Sequence, residues 1–137
     1  MGATENMKIA AVTGQNEATE RRPEPIGREK GMRVGMLTAP FGDKPLVEVL
    51  DFAKSAGIPC LEVVADPGSK HIDPVTIDAA KADKVKQMLA ERNLEISGLA
   101  CFGDPCQPGG SEKFQNHARK MVDAAVWLGV PTLCMQI

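Results

Sequence analysis

From Arg33 onward the apolar residues alternate between short continuous runs and sets spaced as on one face of a helix. Val34, Gly35, Met36 and Leu37 form a run that reads as a strand ending at Thr38, and a loop follows through Pro40, Gly42 and Asp43. Pro45 suits the first turn of a helix, where its missing N–H costs nothing. Leu46, Val49, Leu50 and Ala53 then recur at helical spacing, with Glu48, Asp51 and Lys54 turned away. Gly57 stops that helix and Ile58-Pro59 makes a minimal turn. Cys60 to Val64 reads as a buried strand interrupted by one carboxylate, Glu62.

A polar loop between Pro67 and Pro74 carries Ser69, Lys70, His71 and Asp73, just after Asp66. Asp73-Pro74 suits the cap of a short first turn, and the main helix begins near Asp78 to Asp83. That helix carries Ala82, Val85, Met88 and Leu89 on one face and stops at Asn93. Ile96 to Cys101 is a third strand. After a loop from Phe102 to Gly110, Ser111 is expected to cap a helix with Phe114, Ala118, Met121, Val122, Ala125 and Leu128 in line. Gly129 closes it, and Thr132 to Ile137 is a fourth strand.

Gly57-Ile58-Pro59-Cys60-Leu61 and Gly129-Val130-Pro131-Thr132-Leu133 repeat one helix-to-strand turn. The order βαβαβαβ requires parallel strands, because helical crossovers return the chain to the same end of the sheet. Turns entering strands are short, whereas the loops leaving the second and third strands are long and polar. That asymmetry is expected when function sits at the carboxyl ends of the strands. A complete (β/α)8 barrel takes about 250 residues, so the pattern from 32 to 137 predicts half of one, truncated after the fourth strand.

Residues 1–31 fit no such pattern. Thr19 to Lys30 is charged, holds two prolines and offers one isoleucine, too little apolar surface to offset the entropy of ordering. A disordered extension is expected there. Lys8 to Thr13 has the composition of a transient strand, and either Met1 or Met32 suits a start.

The 16 basic and 18 acidic residues leave a formal charge of -2, which gives no footprint for nucleic acid and no basic patch for an anionic membrane. No apolar run is long enough to span a bilayer, and no signal peptide pattern opens the chain. A cytoplasmic protein is expected. Of the four cysteines, Cys60, Cys101 and Cys134 fall in or beside apolar runs, which favours reduced, mostly buried thiols.

Gly35-Met36-Leu37-Thr38-Ala39-Pro40-Phe41-Gly42-Asp43, Leu61-Glu62-Val63, His71-Ile72-Asp73-Pro74 and Ile96-Ser97-Gly98-Leu99-Ala100-Cys101 followed by Gly103-Asp104-Pro105 resemble the sugar phosphate isomerase/epimerase family. These are the xylose isomerase-like TIM barrels. The resemblance covers Met32 to Ile137 and departs at Phe102, where many relatives carry His. It implies a divalent metal (Mn, Mg, Zn or Co) held by Glu, Asp, His and Glu on strands of the barrel's second half, stabilising the ene-diolate of a proton transfer beside a sugar carbonyl. On that reading this chain holds no catalytic or metal-ligating residue and binds no cofactor itself. It contributes part of the sugar pocket through Phe41, Glu62, His71 and Asp104.

Each candidate also has a plainer role. Glu62 suits a substrate hydroxyl or a structural acceptor equally, His71 an exposed loop position, and Asp73 an N-cap before a catalytic acid. Cys101 and Cys106 stand at a spacing seen in zinc sites but lack a second close pair. His117 reads as a solvated helix residue, and Met36, Met88 and Met121 as core filler. The competing function is a non-catalytic α/β binding module that self-associates through the open edges of its first and fourth strands, at Val34, Met36, Leu133 and Met135.

Overall fold

The computed structural model describes residues 32–102, 106 and 108–135. The expected disordered extension of residues 1–31, the candidate Asp104, and Gln136 and Ile137 of the expected fourth strand lie outside them. The described part is β1 (Gly35–Leu37), α1 (Leu46–Ser55), β2 (Cys60–Val64), α2 (Ala79–Ala90), β3 (Glu95–Cys101), α3 (Gly110–Leu128) and β4 (Leu133–Met135), with one 3-10 turn at Ala39–Phe41. The strands form one all-parallel sheet in the order β1-β2-β3-β4. The crossovers join successive neighbours, and the three helices share one face of the sheet, as crossovers of one hand require. This is the winding of consecutive strands in a (β/α)8 barrel; a doubly wound sheet reverses its strand order at a switch point.

All three helices end alike. At the end of α1 the Gly57 amide donates to the Lys54 carbonyl at 3.2 Å and the Ile58 amide to Ala53 at 2.9 Å. Gly129 and Val130 repeat this onto Val126 and Ala125 at 3.2 and 2.9 Å, and Asn93 and Leu94 onto Ala90 and Leu89 at 3.1 and 3.0 Å. The pattern needs a left-handed residue, with φ of 68° at Gly57, 70° at Gly129 and 55° at Asn93. Each motif feeds the next strand within two or three residues, which fixes one short-turned end of the sheet.

The core lies between sheet and helices. Leu46, Val49, Leu50 and Ala53 of α1, Ala82, Val85 and Leu89 of α2, and Met121, Ala124, Ala125 and Leu128 of α3 meet Leu61, Val63, Leu99 and Cys101. Met36, Met88, Leu133 and Met135 pack on its margin. Leu61 pairs with Ile96 but Glu62 with Gly98, so Ser97 is an extra residue whose hydroxyl donates to the Leu61 carbonyl at 3.1 Å. That bulge keeps Ile96 and Leu99 both on the helix side. Alternation turns Gly35, Leu37, Cys60, Glu62, Val64, Gly98, Ala100 and Cys134 to the other, inner face. In the helix layer, the Arg92 guanidinium at the end of α2 donates to Asp51 of α1 at 2.7 Å.

Several local expectations are corrected. Gly109, with φ of 71°, precedes α3, so Ser111 lies inside its first turn. Val122 is half exposed and Ala124 is buried in its place, because the helix rotates Met121 and Leu128 fully inward. Val34 precedes β1 and is exposed. Cys134 is exposed rather than buried, since it points away from the helix layer on an edge strand. Asp78 caps α2 by accepting the Lys81 amide at 2.8 Å, while Asp73 caps a separate turn, accepting from the Val75 amide and the Thr76 hydroxyl at 2.9 and 3.1 Å.

Candidate functional site

The long loops 38–45 and 65–78, and Phe102 after β3, all leave carboxyl ends of strands, opposite the three tight turns. Thr38, wholly buried, ties the first two together: its amide donates to the Glu62 carbonyl and its hydroxyl accepts the Val64 amide, each at 3.0 Å. The Ala65 amide donates to the Ala100 carbonyl at 2.8 Å and carries the β2–β3 pairing to the rim. The rim is therefore a fixed frame, and its side chains are placed by strand register rather than by loop conformation.

Glu62 stands on the inner face between Leu37 and Gly98. Two strands away, Cys134 pairs with Ala100, and its thiol is held above its ordinary pKa chiefly by hydrogen bonding to the Glu62 carboxylate, then by burial and by that negative charge. With only Gly98 and Ala100 on the intervening strand, the carboxylate and thiol meet above a floor of small residues. A carboxylate there accepts hydrogen bonds from hydroxyl groups.

His71 is only 7% exposed, and its amide donates to the Ser69 hydroxyl at 3.1 Å. Among the described residues neither ring nitrogen has a hydrogen-bond partner of good geometry. Burial pushes its pKa below the ordinary histidine value, while the Lys44 backbone and the Asp43 charge act weakly the other way. The ring lines a cleft of about 150 Å³ with Ile72, Asp73, Thr76, Ile77 and Lys81. Phe41, in the 3-10 turn, stacks on Phe52 of α1 with ring centroids 5.2 Å apart and planes tilted by 58°. The expected common mouth is thus divided. Phe41 is claimed by the helix layer, where its ring finds apolar partners, and His71 is sunk in the β2–α2 loop. Glu62 alone of the described candidates stands on the inner face.

A second cluster was not foreseen. Asp66 in the β2–α2 loop, Cys101 at the end of β3 and His117 of α3 each bring one ligand-type atom within 4.8 Å of the others. His117 is not a solvated helix residue: its side chain is 9% exposed, and both ring nitrogens are buried without a hydrogen-bond partner among the described residues. The signal was in the helical period, since position 117 lies three residues after Phe114 and four before Met121, on the core-facing side. The same ring borders an open groove of about 630 Å³ lined also by Lys113, Arg119, Lys120 and Asp123.

Fold and rim together define the class as a singly wound, parallel α/β protein with its carboxyl-end loops elaborated. No family model matches the chain. It is similar to the uncharacterized protein YfiH of Bacillus subtilis (strain 168), at 28% identity over 109 residues, which cover 76% of this chain and 35% of that protein. The chain therefore spans about a third of the length of the curated relative it matches. Among the described residues no helix is long and apolar enough to cross a membrane.

Proposed function

We propose that the chain supplies the first four strands of a metal-dependent sugar or sugar-phosphate isomerase or epimerase. Its inner sheet face would form part of the sugar pocket. The observation that carries this reading is Glu62, a carboxylate on the inner face of a singly wound parallel sheet, beside a floor of glycine and alanine. The motif resemblance at Leu61-Glu62-Val63 and His71-Ile72-Asp73-Pro74 supports the same assignment, and a match that covers about a third of a relative is in keeping with a chain that supplies part of a barrel.

The inner-face donors among the described residues, the Glu62 carboxylate and the Cys60 and Cys134 thiols, do not fit the oxygen- and imidazole-rich set that the isomerase metal would need. No step is derived through that ion. What the chain offers is orientation: Glu62 accepts a hydrogen bond from a sugar hydroxyl, beside the small residues Gly98 and Ala100. Burial disfavours the charged form of His71 in the loop behind β2.

The test is solvent-deuterium exchange at the carbon beside the carbonyl of aldoses, ketoses and their phosphates. It is run with the complete protein that contains this chain. Exchange is expected with at least one sugar, and Glu62→Gln is expected to lower kcat/KM by about 5- to 150-fold, the worth of a charged hydrogen bond of about 1–3 kcal/mol. Absence of exchange across the series, or equal kinetics in Glu62→Gln, contradicts the reading.

A further inference from the structure

We propose that Asp66, Cys101 and His117 form a zinc-class metal site on the helix side of the sheet, separate from the inner face on which Glu62 stands. Three donors of different chemistry come from three elements far apart in sequence, yet their ligand atoms lie within 4.8 Å of one another. The His117 side chain is more than nine-tenths buried, and neither ring nitrogen has a hydrogen-bond partner among the described residues. Buried imidazole nitrogens are normally satisfied, and a metal is one of the few groups that satisfies them in an otherwise apolar place.

The separation of His117 and Asp66 fits an ion better than a direct contact. His117 Nε2 stands 3.9 Å from Asp66 Oδ1, too far for a hydrogen bond. Two ligands of a tetrahedral zinc with bonds of about 2.0–2.2 Å are about 3.4 Å apart, so a contraction of roughly 0.5 Å closes the pair. The Asp66 carboxylate is already positioned, because Oδ1 accepts the Phe102 amide at 3.1 Å. That same bond ties the Asp66 loop to the residue after Cys101. Cys101, 1% exposed, presents sulfur from the end of β3. On binding, the thiol loses its proton to solvent as the metal–sulfur bond forms, so affinity falls as pH falls.

Thiolate, imidazole and carboxylate together select zinc or cobalt over magnesium or calcium, which take oxygen donors almost alone. Three protein ligands leave a fourth position, and the half-exposed side of Asp66 opens it to water. The bound ion would clamp α3 to the β2 and β3 rim. This goes against the sequence expectation that the chain binds no metal of its own, and it does not depend on the isomerase reading.

Cobalt titration of the reduced, metal-stripped chain tests the site by its thiolate-to-cobalt absorption band, with zinc as competitor. One equivalent is expected to bind, and zinc to raise the melting temperature. The band should vanish in Cys101→Ala, and affinity should fall at least about tenfold in His117→Gln and Asp66→Asn. Cys134→Ser, on the other face of the sheet, should bind as the parent does. Asp66→Asn changes a loop residue without changing its shape, so its loss of affinity is not a folding defect. Absence of one-to-one binding overturns the proposal, as does a band and affinity unchanged in Cys101→Ala, His117→Gln or Asp66→Asn.

Discussion

At the scale of single residues, the polar groups that matter are those the fold buries. His71 was legible as a loop histidine between Lys70 and Asp73, but its burial was not, because it depends on the β2–α2 loop folding back so that the Ile72 amide reaches the Val64 carbonyl at 3.2 Å. Its lowered pKa has a consequence with a definite sign. In the unfolded chain the imidazole takes a proton as pH falls through about 6.5, whereas the folded form resists until lower pH. The unfolded state then binds more protons, so stability is complete above about pH 6.5 and is lost as pH falls toward the folded pKa. Urea unfolding midpoints between about pH 8 and 5 should therefore decline less steeply in His71→Gln than in the parent. Parallel curves would show that His71 protonates equally in both states. His117 was missed for a different reason: its polarity outweighed a helical register that placed it on the core side with Phe114 and Met121.

At the scale of elements, the sequence carried most of the fold. The four buried positions of α1, the three of α2 and the five residues of β2 stand where periodicity and the glycine and proline punctuation put them. Two of the three helix stops were visible as a repeat because both use glycine followed by an apolar residue and proline. The third, Asn93-Leu94-Glu95, makes the same hydrogen bonds with no proline, so its equivalence emerges only in the structure. The bulge at Ser97 was also hidden, since a strand that changes its alternation midway still reads as one apolar run. Because the motif depends on left-handed backbone, Gly129→Ala should lower stability in urea by about 1–2 kcal/mol. Asn93→Gly, at a position already left-handed, should change it by less than about 0.5 kcal/mol. An unchanged Gly129→Ala would mean that α3 can end another way.

At the scale of the whole described unit, one face of the sheet is covered by the three helices, and its edge strands are β1 and β4. The candidate site was legible in part: Glu62 stood out as a carboxylate within an apolar strand, but which face received it is fixed by register with β1 and β3, which no single segment reveals. The account turns on that placement, with Glu62 presented over the small-residue floor toward Cys134. Alkylation of Cys134, followed by peptide mass spectrometry across pH, measures it directly, because the reactive species is the thiolate and the Glu62 carboxylate holds the thiol protonated. The account predicts that Glu62→Gln moves the alkylation profile of Cys134 to lower pH and leaves that of Cys106 in place. Coincident Cys134 profiles in the two proteins would mean that Glu62 does not face Cys134, and the inner-face pocket would lose its central residue.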